Sequence, residues 1–365
     1  MVATSAPGAP NPCRSNVYRH RLRTGYARGP SALPDEPPTM DTTELRARLV
    51  RAAHYDAEYG ASLSNHLPMA LTALTRLGAS AERLDAFMDL YLRRLHAAPP
   101  RQPWSAGEPW RGALGDPRAW PTYRTLFRDW FAYEDVATTL DQALPTLMRG
   151  AGAAAFHGLI RTAYALAANH ADELADGLAY WACRWFSCGD ASALVQGNEG
   201  DALAVLGELD LGTVPDMPLI AQGMAWAAAH PRFAMVMARW QVDGWSTLPR
   251  LAHLAAERYA ASADFTALHL VTSAHAVRVL LPWIDADARL DALRHYALAY
   301  AAAWGTLPRD APTLAPMPVL PWSEVVARAI ESDDDHRIKL VDCCRELEGA
   351  QGGAVWATAA SRAVA

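Results

Sequence analysis

From residue 41 onward, alanine and leucine recur at helical spacing and strand-like alternation is nearly absent. That pattern constrains the fold most, because each apolar stripe must be buried against another helix. The stretch TELRARLVRAAHYDAEYG reads as a helix ending at Gly60, and NHLPMALTALTRLG as one running from a Ser64 cap to a Gly78 stop. Ser80 opens another that stops before Pro99. FHGLIRTAYALAANHADELADGLAYWACRWF reads as one long helix or a broken pair. Further helices are expected at 220–230, 246–262, 264–283 and 286–304. The last two are SEVVARAIES and DDHRIKLVDCCRELEGA. A proline-rich crossing at 305–321 precedes a remnant too short to build its own core. The expected fold is therefore all-α, one large multi-helix domain over 41–365.

The first forty residues, rich in Pro, Gly, Ala and Arg, lack the apolar stretch of a signal peptide. They read as a disordered tail, or as sequence upstream of the true start. Asp41 or Thr42 is the expected cap of the first helix. The formal net charge of −6 gives no basic face for nucleic acid and no attraction to an anionic membrane. No run approaches the ~18 apolar residues of a membrane span. The five cysteines, an odd number without framework spacing, fit a reducing compartment, so a cytoplasmic protein is expected.

Gly150-x-Gly152-x-x-Ala155 superficially matches a dinucleotide fingerprint, but the segment before it reads as helix, and a helix–helix turn is the better description. The histidines are more informative. His66, His157, His269 and His336 each stand in apolar helical sequence, with His275 a further candidate. The spacing of six between His269 and His275 puts them ~120° apart around a helix, so one of the two, not both, faces a shared centre.

Lys339 is the only lysine of the chain; every other strongly basic residue is arginine. It follows His336 by three positions, which places both on one helix face. A buried lysine loses its proton readily, and the neutral amine can take up carbon dioxide as a carbamate, a carboxylate on a long arm. Arginine cannot do this. The same spacing also fits a surface lysine whose stem lies along apolar groups, and on spacing alone the surface lysine is the expected reading.

NHLPMALTALTRLGASAERL, FHGLIRTAYAL, LAYWA, LHLVTSAHAVRVLLP and DDHRIKLVDCC occur in this order. Together they resemble the questin oxidase-like family from about Glu44 to Ala360. The resemblance implies an oxidoreductase that opens or oxidises an anthraquinone-like or related aromatic polyketide ring with dioxygen. It implies a non-heme Fe(II) centre held by His66, His157, His269, His336 and a CO2-derived carbamate on Lys339. Ligands converging from separate helices are how bundle metal sites are built. Arg161 and Tyr164, four and seven residues after His157, are expected on the same helix face, orienting a phenolate or carbonyl oxygen. Two other readings stand beside this one. The first is an NADPH-dependent Baeyer–Villiger-type monooxygenase without metal, the older description of such oxidases. The second is a non-enzymatic α-helical protein that binds a small molecule.

Overall fold

The computed structural model describes residues 42–105, 109–309 and 313–365. The tail at 1–40 and the Asp41 cap lie outside the described residues. The first helix, α1 (Thr42–Ala52), stops earlier than its periodicity suggests. The chain then turns through a small antiparallel hairpin, β1 (Glu58–Tyr59) and β2 (Leu63–Ser64), in which Glu58 faces Ser64. Gly60, at φ +56°, lies in the hairpin turn rather than at a helix end. Ser64 is not a cap; its hydroxyl shares a 2.7 Å hydrogen bond with Tyr180 Oη.

Helices α2 (Leu67–Leu77), α3 (Ala81–Leu92), α4 (Trp120–Tyr133) and α5 (Val136–Met148) follow. Ser80 and Asp135 cap α3 and α5 by accepting from the amides of Arg83 and Thr138. Gly78, at φ +91°, closes α2. The long apolar stretch is a broken pair, α6 (His157–Ala167) and α7 (Ala171–Cys183), interrupted where Asn169 takes φ +52°. The two pack closely: a Cβ on Gly158 would stand 2.6 Å from Trp181 Cα, and one on Gly177 3.1 Å from the Thr162 backbone.

Short helices α8 (Ala193–Gln196), α9 (Ala202–Gly207), α10 (Ile220–Ala229) and α11 (Pro231–Met237) lead to α12 (Thr247–Ser262), α13 (Phe265–Leu280) and α14 (Ala286–Trp304). The chain finishes with α15 (Trp322–Glu331), α16 (Asp335–Gln351) and α17 (Val355–Ala363). The fold is mostly all-α. Helix α17 had no counterpart in the sequence reading. Its Ala-rich run follows Gly352-Gly353, both at positive φ, and signals little until Trp356 is seen fully buried. No helix among the described residues is long and apolar enough to cross a membrane.

Helices α2, α6, α13 and α16 form the centre: α2 packs on α6 and α16, and α13 packs on the same two. Three of them are apolar almost all round, as fully buried helices must be. Each of those three carries one arginine, and each arginine finds a carboxylate. Arg76 meets Asp342 at 2.9 Å, Arg161 meets Glu173 at 2.6 Å, and Arg278 reaches Glu346 at 3.4 Å.

Candidate metal centre

The segment joining α5 to α6 is the GAGAAAF turn. Ala154, Ala155 and Phe156 take φ +47°, +54° and +70° in succession. Left-handed backbone at consecutive non-glycine residues is unfavourable and persists only where the surroundings enforce it. The turn delivers His157 as the first residue of α6. It also turns the Ala154 carbonyl back onto the ring, where it accepts from Nδ1 at 2.5 Å.

The other three histidines arrive in comparable ways. His66 is the N-cap residue of α2, and its backbone N–H donates to Tyr91 Oη at 3.0 Å. Its ring Nδ1 is hydrogen-bonded to Asp335 Oδ1. His269 lies in the second turn of α13, and its Nδ1 donates to the Phe265 carbonyl at 2.7 Å. His336 is the second residue of α16, with Nδ1 3.0 Å from Asp335 Oδ1. Helices α2, α6 and α16 therefore bring their histidine at the cap or first turn, and α13 brings His269 one turn further in.

The rings touch. His66 stacks on His157 with centroids 4.5 Å apart and planes within 12°. His336 stands edge-on to His66 at 4.5 Å, and His269 lies 5.0 Å from His157 and 5.3 Å from His336. One ring nitrogen from each of His66, His157 and His336 falls within 4.8 Å of the others. Carbonyls only accept, so His157 and His269 carry their proton on Nδ1. An ionised Asp335 imposes the same on His66. In each ring the Nε2 lone pair is then left over. On His66 and His157 that atom is buried without a partner. Buried, unpaired acceptors are costly unless something fills them.

The electrostatics favour neutral rings at His66, His157 and His269. Burial pushes the His66 imidazole down to about 3, and the nearby Lys339 charge works in the same direction against Asp335. Burial, with neighbouring histidines, holds His157 and His269 well below the usual range. Burial raises Asp335, but His66 and Lys339 outweigh it and hold this carboxyl well below its usual range. Lys339 is 2% exposed, with its Nζ 3.5 Å from Asp335 Oδ1. Burial lowers its pKa against the pull of Asp335. The surface lysine expected from spacing alone is thus corrected: packing of the helix buries Lys339 beside Asp335.

The structure brings His66, His157, His269, His336 and the Lys339 side chain together. It gives Arg161 and Tyr164 other partners. The Arg161 guanidinium lies over Trp120 and holds Glu173 through two hydrogen bonds, at 2.6 and 3.0 Å. Tyr164 Oη donates to Asp342 at 2.9 Å and lies 3.4 Å from Cys343 Sγ. His275 is buried near the Tyr164 ring, 6.5 Å between centroids, rather than among the four clustered rings. Gly150 to Ala155 lies in the α5–α6 turn, with no strand before it. Asp335 was missed in the sequence because an acidic residue beside an N-cap reads as helix-end chemistry; only its burial beside His66 marks it. Phe265 was also missed. Its ring contacts His269 at 4.7 Å and His336 at 4.6 Å while remaining 52% exposed, so it marks the open side of the site.

Three neutral imidazoles beside carboxylate-type oxygen suit a divalent first-row transition metal. The leftover Nε2 lone pairs show that these residues fit one. Fold and site together define a mostly α-helical protein with a polyhistidine cluster drawn from four central helices. The chain belongs to the questin oxidase-like family, whose model matches residues 63–208 and 237–344. The matched segments contain all four histidines and Lys339 and start later and end earlier than the resemblance read from the sequence. No curated protein matches the chain. Family membership implies an oxidoreductase acting with oxygen on an anthraquinone-like small molecule.

Proposed function

We propose that the chain is a non-heme iron oxygenase that oxidises, or oxidatively opens, an aromatic polyketide or quinone-like ring. His66, His157 and His269 would hold Fe(II) through Nε2, with His336 and a carbamate on Lys339 completing the set. The observation that carries this reading is the pair of buried, unpartnered Nε2 atoms on His66 and His157, each ring fixed by donation from Nδ1. Iron in this position supplies the one-electron chemistry that spin-paired organic rings lack toward dioxygen.

The protein's own groups do the rest. Ala154 and Phe265 carbonyls and the Asp335 carboxylate keep protons on Nδ1, so the imidazoles face the centre as acceptors. The N-terminal ends of α2, α6 and α16, which carry His66, His157 and His336, favour negative charge nearby. A lysine carbamate and a bound phenolate are the anions that fit. Phe265 offers a ring edge or face to an aromatic substrate entering from the exposed side. Arg161 and Tyr164 act through the scaffold in this reading. Arg161 ties α6 to α7, and Tyr164 ties α6 to the helix that carries Lys339.

The test is iron content in aerobically purified protein beside Lys339→Arg prepared identically. It is paired with oxygen uptake on a hydroxyanthraquinone, with and without NADPH. Near-stoichiometric iron in the wild type, lost in the variant, together with substrate-dependent oxygen uptake, is expected. Equal folding without transition metal in either protein would sink the proposal.

A further inference from the structure

The Asp335 carboxylate, which fixes the tautomer of His66, reaches further than that one ring. Asp335 is the first residue of α16 and is 5% exposed. It does not cap that helix, since Asp334 already accepts from the amides of His336 and Arg337. Instead its Oδ1 meets three of the five candidate ligands: His66 Nδ1, His336 Nδ1 at 3.0 Å and Lys339 Nζ at 3.5 Å.

We propose that Asp335 is the positioning residue of the centre, the carboxylate that sets the orientation of His66, His336 and Lys339 together without itself binding the metal. This rests on the metal centre proposed above. The geometry argues for it directly. The two nitrogens of an imidazole point in divergent directions. A carboxylate oxygen bonded to His66 Nδ1 therefore stands behind the ring whose Nε2 faces the centre.

His157 and His269 are held by carbonyls three and four residues earlier, which are neutral and local. His66 is held by a charged group 269 residues away in sequence. Asp335 thus couples the start of α2 to the start of α16, and a charged acceptor makes the ring it holds a stronger donor to a metal.

The experiment is Co(II) binding to metal-free protein against a competing chelator, read by the visible cobalt bands. The chains compared are wild type, Asp335→Asn and Asp334→Ala. Asparagine keeps an acceptor oxygen without the charge, whereas Asp334→Ala removes the cap of the same helix, together with a 3.7 Å approach to His336 Nδ1, and leaves Asp335 in place. Asp335→Asn is expected to weaken cobalt binding by roughly 10- to 100-fold, with wild-type bands at saturation because no ligand has been removed. Asp334→Ala is expected to stay within about 3-fold, well short of the range for a lost supporting contact. Wild-type affinity in Asp335→Asn overturns the proposal. So does a changed band pattern at saturation, which would make Asp335 a ligand. An equal loss in Asp334→Ala overturns it as well, because the effect would then belong to the helix end. If the wild type itself takes up no cobalt, the metal centre fails first, and that outcome is distinct from the other three. Unfolding midpoints of the three metal-free proteins separate lost binding from lost folding.

Discussion

The His157 Nδ1–H reaches the Ala154 carbonyl at 2.5 Å, three residues back along the chain. That contact exists because the intervening backbone runs left-handed through Ala154, Ala155 and Phe156. The ring's orientation, and with it the direction of its free Nε2, is built into a strained turn rather than a regular helix.

The turn is therefore sensitive to residue type. Ala155→Val puts a β-branched side chain at φ +54°, where it is a steric outlier. A loss of about 1–3 kcal/mol in unfolding free energy is expected, with reduced metal uptake as His157 shifts. Ala155→Gly accepts the same backbone without that cost and is expected to keep metal uptake. Denaturant titration and metal analysis of the two variants check this. Equal behaviour of Val and Gly would mean that the turn does not set the ring.

Carbon dioxide is expected to control metal uptake through Lys339. Metal-free protein reloaded with Fe(II) under anaerobic, CO2-depleted conditions should bind weakly. Bicarbonate should restore binding by roughly tenfold or more, in line with the weight of a supporting anionic group. Chloride at matched ionic strength should not. Lys339→Met should ignore bicarbonate altogether. A wild type that loads equally well without CO2 removes the carbamate from the ligand set.

The metal-free protein should lose stability on mild acidification. His66 has its folded pKa lowered to about 3, and burial holds His157, His269 and His275 low as well. Between the folded values and the ordinary value near 6.5 the unfolded chain binds more protons. Stability therefore rises with pH through that window, is fully present above it, and falls as pH drops below about 6.5. Each such imidazole contributes up to about 1.4 kcal/mol per pH unit. Denaturation midpoints at pH 7.5 and 5.5 measure it; a flat profile means that these rings are charged, or exposed, in the folded state.

Phe265 should govern the aromatic ligand and leave the metal alone. Phe265→Ala is expected to weaken binding of a hydroxyanthraquinone by about 1 kcal/mol, the scale of an aromatic pair contact, with metal content unchanged. Phe265→Trp should keep the affinity. Fluorescence titration beside metal analysis distinguishes this from damage to the centre, since loss of metal in Phe265→Ala would make the phenyl a support for His269 and His336 instead.

The sequence by itself determined the helical architecture, because Ala/Leu periodicity, the Ser80 cap and the Gly78 stop are local signals that the backbone obeys without long-range help. It also singled out the residues that meet. His66, His157, His269 and His336 stand in apolar helical surroundings, and a lone lysine in an arginine-rich chain marks Lys339. What it left open was direction. Whether Lys339 faced solvent, which of His269 and His275 joined the cluster, and where Arg161 and Tyr164 spent their donors all depend on neighbours far away in the chain. Arg161 is claimed by Glu173 of the next helix, and Tyr164 by Asp342 of a helix nearly two hundred residues later. Asp335 shows the limit most clearly. Beside Asp334 it looks like an ordinary acidic helix start, and only the packing of α16 against α2 buries it and places it behind His66. Helix propensity is written in short-range spacing. The orientation and charge state of a buried side chain are set by desolvation and by partners that only tertiary packing brings within bonding distance.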